Sequence, residues 1–305
     1  MKAFIYPGQA SQYVGMGQDL FETYTLAKER FAEANEILGY DLTDYCFNGP
    51  EEKLKQTYIT QPAIFVHSCI VTELLAEKGL SADMAAGHSL GEYSALVAAG
   101  ALAFRDALQL VKVRGRAMQE AGEKNPGTMA AIIGMDDSDV EALCAKASEA
   151  GIVQPANFNS PGQIVISGSE AGIARAVELA PEMGAKRAVP LVVGGAFHSP
   201  LMAGAQDELR EAIEAAPFRD ARLPVYSNVR AEPVTAAAEI RELLNLQLTH
   251  PVRWTSCMLN MIRDGAEEFY EVGPGKVLTG LGRRIDRKKM PKSVDTVADI
   301  ENIGA

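Results

Sequence analysis

The stretch Ala86-Gly87-His88-Ser89-Leu90-Gly91-Glu92 holds one serine between glycines two residues to either side. This spacing constrains the fold more than any other segment. A serine displayed on a tight strand-to-helix turn takes strained backbone angles, and the two glycines let strand and helix approach without side-chain collision. The flanks agree with such a turn. Residues 83–86, Asp-Met-Ala-Ala, read as a short buried strand, and residues 93–99, rich in small side chains, suit a closely packed helix. The frame therefore predicts a nucleophile elbow carrying Ser89. The bland alternative is an ordinary Gly-Ser turn.

A chain of 305 residues, 47 % of them hydrophobic, exceeds one average domain and can bury a large core, so one main domain with an insertion is expected. The formal charge of −11 argues against nucleic-acid binding, which needs a basic surface to displace counterions. Small molecules or proteins are the expected partners. Cys46, Cys69, Cys144 and Cys257 have neither metal-ligand nor disulfide-framework spacing, and no signal peptide or run of eighteen apolar residues is read. The expectation is a reduced cytoplasmic protein, bound to no membrane and holding no metal, with each cysteine a small buried hydrophobe.

Alternating strand and helix patterns at residues 2–6, 19–38, 61–80 and 83–99 read as βα units, hence a parallel sheet flanked by helices. The character changes near residue 125. Strands are expected at 128–133, 153–158, 163–167 and 188–193, with helices over 137–150 and from the N-cap Ser169 to 183. That order, βαββαβ, is a ferredoxin-like unit. The predicted architecture is α/β: a large α/β-hydrolase-like domain with a parallel sheet, residues 1–124 and 195–305, and an inserted ferredoxin-like small domain, residues 125–194. In the returning segment, a helix over 200–215, a strand over 223–229, helices around Ile240 and Trp254, and a strand over 268–272 complete the large domain.

A serine needs a base to take its proton. Of four histidines, His67 lies mid-helix, His88 points away from the serine on a strand-like elbow, and His250 precedes Pro251 in a loop. His198 ends the segment where the small domain hands the chain back, and domain junctions are where clefts form. It is the favoured base. Asp106, Asp136, Asp137 and Asp139 serve equally well as helix caps, so no acid stands out as its partner; a backbone carbonyl or an amide can take that place. On the helix around residues 108–118, the stripe Ala107, Val111, Arg114, Met118 is apolar apart from one guanidinium. An inward charge needs an anion, so Arg114 either pairs with an internal acid or awaits a substrate carboxylate.

Together these motifs resemble the malonyl-CoA:acyl carrier protein transacylase family of bacterial fatty-acid synthesis, over nearly the whole chain. Residues 6–12 resemble its oxyanion loop, 87–92 its nucleophile motif, 113–115 its carboxylate-binding arginine, 156–163 a small-domain loop, 195–202 the segment of the base, and 247–254 and 271–278 two C-terminal segments. The resemblance implies Ser89 as nucleophile, His198 as base, and the Gln247 main-chain carbonyl in place of an acid. It further implies the Gln9 and Leu90 N–H groups as oxyanion donors, and Arg114, Met118, Phe197 and Asn159 at the substrate. No role falls to the Gln247 side chain. Ala10 stands where the family commonly has glycine, which strains the loop if a positive φ is required. His250 replaces a frequent asparagine. No tightly bound cofactor is implied; malonyl-CoA and the carrier's phosphopantetheine are substrates.

The implied partner is an acidic acyl carrier protein. Arg283, Arg284, Arg287, Lys288, Lys289 and Lys292 either steer it or form a solvated helix end. Rival functions are a serine hydrolase of the thioesterase or lipase kind, and a non-catalytic scaffold.

Overall fold

A computed structural model describes residues 1–303. Among these described residues ten strands form two sheets. In chain order they are β1 (Lys2–Tyr6), β2 (Met84–Gly87), β3 (Gly127–Ile133), β4 (Val153–Ser160), β5 (Gln163–Ser169), β6 (Arg187–Leu191), β7 (Val225–Tyr226), β8 (Pro233–Val234), β9 (Glu268–Val272) and β10 (Lys292–Val294). The larger sheet runs β10-β9-β1-β2-β7-β8, parallel except for the β7–β8 hairpin. A parallel sheet is covered on both faces, and its central strands β1 and β2 are accordingly buried almost throughout. Phe4 and Tyr6 of β1 enter the main core with the helix Thr57–Glu77, while Ala3 and Ile5 enter a second core under the helices Trp254–Arg263 and Val277–Ile285.

The helix Thr57–Glu77 is long and apolar enough to cross a membrane, a property hidden from a search for an unbroken apolar run because Gln61, His67 and Glu73 interrupt it. It is the core helix of the fold: 83 % of its most apolar eighteen-residue window is buried inside the protein.

The smaller sheet is antiparallel in the order β4-β5-β3-β6. On one face Ala130, Ile132, Ile164 and Ile166 pack on the helices Asp137–Ala147 and Glu170–Leu179, the second capped by Ser169 Oγ accepting from Gly172 N. On the other face Met129 and Val165 turn toward the main core and the cleft. The sheets are stitched together where the bulged strand β4 meets residue 252: Phe158 N donates to Val252 O at 2.9 Å and Val252 N to Ala156 O at 2.8 Å.

Several elements differ from their sequence patterns. The helical pattern at 19–38 is two helices, Gln18–Thr23 and Thr25–Leu38, because Tyr24 adopts an extended conformation between them. The strand expected over 223–229 is only β7, since Ala231 N donates back to Ser227 O and the chain turns into β8. The helix after β3 stops at Ala147 rather than 150, and β6 spans 187–191 rather than 188–193. Short helices at Leu42–Asn48 and Glu51–Leu54 lack a full amphipathic repeat, although Asp41 caps the first by accepting from Asp44 N.

Strand, turn and helix converge at the two glycines. A Cβ on Gly87 would lie 1.8 Å from the Gly91 carbonyl carbon, and one on Gly91 would lie 2.1 Å from Tyr6 O of the neighbouring strand. Gly91→Ala is therefore expected to lower the free energy of unfolding by about 3 kcal/mol or more, measured by urea titration, because backbone on every side cannot yield.

Candidate active site

The larger sheet delivers its polar residues from the carboxyl ends of three adjacent parallel strands, where ligands bind in open α/β sheets. β1 leads into Gly8 and Gln9, β2 into Ser89, and β7 into Asn228. Ser89 has φ 51°, a left-handed conformation that a β-carbon disfavours. Asn228 holds it there: Oδ1 accepts from Ser89 N at 2.7 Å and Nδ2 donates to Gly87 O at 2.6 Å.

His198, also left-handed at φ 58°, closes the site from the junction between the sheets. Its Nε2 is 2.8 Å from Ser89 Oγ and its Nδ1 is 2.8 Å from Gln247 O. A carbonyl only accepts, so Nδ1 carries the hydrogen and Nε2 presents a lone pair to the serine. Arg114 only donates, and its Nη2 lies 3.0 Å from the same Oγ, so the serine hydrogen is directed to His198. Burial, and secondly the Arg114 charge, depress the His198 pKa to about 3. The imidazole is a neutral base throughout the physiological range.

Arg114 is 1 % exposed on the helix Phe104–Lys124. It meets neither an internal acid nor solvent. Nη1 donates to Gln61 Oε1 at 2.8 Å, Nη2 to Gln247 Oε1 at 2.9 Å, and the guanidinium stands 5.6 Å from the Tyr93 ring centroid. Among the described residues no carboxylate lies within 4.0 Å of it, and its Nε is unpartnered. Burial without a direct ion pair lowers its pKa.

A cavity of about 230 Å³ opens in front of these groups. Its wall includes Gln9, Ser89, Leu90, Arg114, Met118, Asn159, Phe197 and His198, so every sequence-predicted residue except Gln247 lines it directly. Gln247 lies just behind, in contact with His198 and Arg114. Among the described residues the amides of Gln9 and Leu90 donate to no protein acceptor. Ala10 does require a positive φ, 81°, and its amide is held by Gln12 Oε1 at 2.9 Å.

The other histidines stand apart from the proton path. His88 Nε2 meets Asn159 Oδ1 at 2.8 Å, tying the elbow to β4. His67 is buried 3.1 Å from Asp295 Oδ1, and His250 Nδ1 lies 2.8 Å from Leu246 O.

Three participants escaped the sequence reading, and a fourth was undervalued. Asn228 follows the C-terminal end of a sheet strand, a signal readable only once β7 is known to neighbour β2. Gln61 lies on an apolar helix, where a lone amide facing inward was the available clue. Gln154, on β4, donates to His198 O at 2.8 Å and to Thr249 O at 3.3 Å across the junction. The Gln247 side chain, given no role from sequence, bridges Arg114, Ser89 O at 3.0 Å and Glu92 Oε2 at 2.8 Å.

The helix Val277–Ile285 contributes Val277, Leu278 and Leu281 to the cavity and ends in Arg283 and Arg284; the turn Arg287–Lys289 follows. None of Arg283, Arg284, Arg287, Lys288 and Lys289 forms an ion pair among the described residues, and Arg284 bonds Gln163 at the cavity wall. Lys292 departs from the group, pairing with Glu268 across β10 and β9 at 3.4 Å. No cluster of three or more His, Cys, Asp or Glu suited to a metal occurs among the described residues.

The family model described as acyl transferase domain matches residues 3–301, and the chain belongs to that family. It is 48 % identical over 300 residues to the malonyl CoA-acyl carrier protein transacylase of Bacillus subtilis, covering 98 % of this chain and 95 % of that one. The crystal structure of an acyl carrier protein S-malonyltransferase from Vibrio cholerae superposes with a TM-score of 0.96 at 44 % identity, covering 99 % of both chains. A malonyl-transacylase in complex with a type II polyketide synthase acyl-carrier protein, PlMCAT:AntF, superposes with a TM-score of 0.95 at 41 % identity, over 98 % of this chain and 97 % of that one.

A neutral His198 gives a signed pH prediction. Because its pKa is depressed well below the ordinary value near 6.5, the base stays competent as pH falls through that value. Labelling of Ser89 by a neutral fluorophosphonate is expected to change less than about twofold between pH 8 and pH 5.5, whereas an ordinary histidine would slow it roughly tenfold.

Proposed function

We propose that this acyltransferase moves the malonyl group from malonyl-CoA to the phosphopantetheine thiol of acyl carrier protein, through a malonyl ester on Ser89. One observation carries the reading: a fully buried guanidinium, without a carboxylate partner, lies 3.0 Å from the nucleophilic oxygen. A plain hydrolase has no use for that arrangement. An acyl group ending in a carboxylate does, because the planar fork binds it at two points and fixes the thioester carbonyl beside the serine.

Ser89 Oγ attacks the thioester carbon as its proton passes to His198 Nε2, and the carbonyl electron pair moves onto oxygen, stabilised by the Gln9 and Leu90 amides. Collapse breaks the carbon–sulfur bond, and the CoA thiolate leaves with the proton from His198. The carrier thiol then gives its proton to His198 and attacks the ester; collapse returns the proton to Ser89. The Gln247 carbonyl holds the imidazole but cannot become an anion. This suits thioester exchange, which demands less of its base than amide cleavage. Met118, Phe197 and Asn159 border the acyl chamber, where the Phe197 ring disfavours a branched acyl group.

The lobes read best as an α/β-hydrolase-like domain of residues 1–124 and 195–305 and a ferredoxin-like domain of residues 125–194. The β-α-β-β-α-β chain order and the spatial order β4-β5-β3-β6 support that division. Four buried free cysteines suit a reducing cytoplasm. The unpaired cations at Arg283, Arg284, Arg287, Lys288 and Lys289, at the end of a helix that lines the cavity, supply a docking site for an acidic carrier.

Intact-mass analysis after mixing with malonyl-CoA is expected to show a malonyl adduct that persists until a thiol is added and is absent from Ser89→Ala; immediate release of malonate would mark a hydrolase instead. Arg114→Ala should lower kcat/KM for malonyl-CoA roughly 100-fold and leave acetyl-CoA unaffected or improved. Reversing charge at Arg287 and Lys288 should raise KM for the carrier several-fold and more so at low salt, without moving KM for malonyl-CoA.

A further inference from the structure

We propose that Glu92 is a positioning and specificity residue: it is the counter-charge of Arg114, relayed through the Gln247 amide, and it takes up a proton when a substrate carboxylate binds. This rests on the reading that Arg114 receives that carboxylate.

Glu92 is 3 % exposed in the first turn of the helix Gly91–Ala98, three residues beyond the nucleophile. Among the described residues no cation approaches its carboxylate within 4.0 Å. Its Oε2 accepts from Asn228 N at 3.0 Å and from Gln247 Nε2 at 2.8 Å. The orientation of Gln247 follows from chemistry. A guanidinium cannot accept, so Oε1 must face Arg114 Nη2, at 2.9 Å, and Nε2 must face Glu92 and Ser89 O. One amide thus separates the two buried charges and polarises toward both.

The spacing has a consequence for recognition. A carboxylate directly on Arg114 would occupy its fork and quench the site, while an arginine with no counter-charge at all would be costly to bury. A counter-charge one amide away offsets part of that cost and leaves the guanidinium free to bind. When the substrate brings a second carboxylate, two anions share one cation, and the protein can shed one negative charge only by protonation. Burial has already pushed the Glu92 pKa up to about 7, with Arg114 opposing. The other titratable groups around it do not respond near neutrality: Tyr93 on the same helix is raised to about 12, the Cys257 thiol on the helix Trp254–Arg263 is raised by burial, and His198 is depressed to about 3.

Calorimetric titration of Ser89→Ala with malonyl-CoA, in two buffers of different ionisation enthalpy, tests this directly. Malonyl-CoA is expected to bind with net proton uptake at pH 7.5 and to weaken by about tenfold between pH 6 and pH 8.5 as two carboxylates come to face each other. Acetyl-CoA, which shares the titrating phosphates of CoA, should show neither. Adding Glu92→Gln should abolish both the uptake and the pH dependence, leaving malonyl-CoA bound at its low-pH affinity. A purely structural role would instead weaken both ligands equally. Malonyl-CoA binding without proton uptake, or an unchanged pH dependence in Glu92→Gln, overturns the proposal. If Glu92→Gln does not fold, the proton count on Ser89→Ala decides alone. Malonyl-CoA binding that Arg114→Ala leaves unweakened overturns the reading of Arg114 itself, and the relay with it.

Discussion

The structure depends on a contact that only hydrogen can make. Gly87 and Gly91 bring strand, turn and helix within backbone distance of one another and of β1, and that approach forces Ser89 into left-handed geometry with its hydroxyl projecting from the sheet. The strain is held by Asn228, which accepts from the serine amide and donates to the Gly87 carbonyl two residues before it. Strain at a site persists only where the surroundings over-determine it, and here two side-chain hydrogen bonds and a packed strand do so. Because β1, β2 and β7 are neighbours, the same sheet edge that displays Ser89 also presents the free amides beside it.

Charge organises the second layer. Around the nucleophile lie the buried Arg114 guanidinium, Glu92 carboxyl group and His198 imidazole, and among the described residues no two of these three form a direct ion pair. Glutamine amides separate them instead: Gln61 and Gln247 accept from the two terminal nitrogens of the arginine, and Gln247 alone reaches the arginine, the glutamate and, through its carbonyl, the histidine. Amides fill hydrogen-bonding capacity without neutralising charge. The positive field of Arg114 is therefore preserved in a low-dielectric cavity, where it acts strongly on an incoming anion and adds to burial, the larger cause, in keeping His198 deprotonated.

The smaller sheet is a fixed wall of this cavity, pinned by main-chain bonds between β4 and Val252, by His88 with Asn159, and by Gln154 on the carbonyl of the left-handed His198. The nucleophile stands on the larger sheet and the base at the seam itself, held from both lobes by Gln247 and Gln154. Their 2.8 Å contact thus reports how well the two sheets are seated against each other.

By itself the sequence determined the local events, because each is governed by residues close together in the chain. The glycine spacing around Ser89, the strand pattern at residues 2–6, the Ser169 cap and the βαββαβ order were legible for that reason. A lone arginine on an apolar helical stripe announced an inward charge and left its partner open. Tertiary structure alone decided what met that charge. Gln61, Gln247 and Ser89 lie 53, 133 and 25 residues from Arg114 in the chain, and polar amides carry no periodic signal that would betray such a meeting. Likewise the role of Asn228 exists only because β7 pairs with β2, and the short length of β7 only because the chain folds back at Ala231. Hydrogen bonds act over about 3 Å of space, whatever the length of chain between the partners, so their pairing becomes visible only after the sheets have chosen their order.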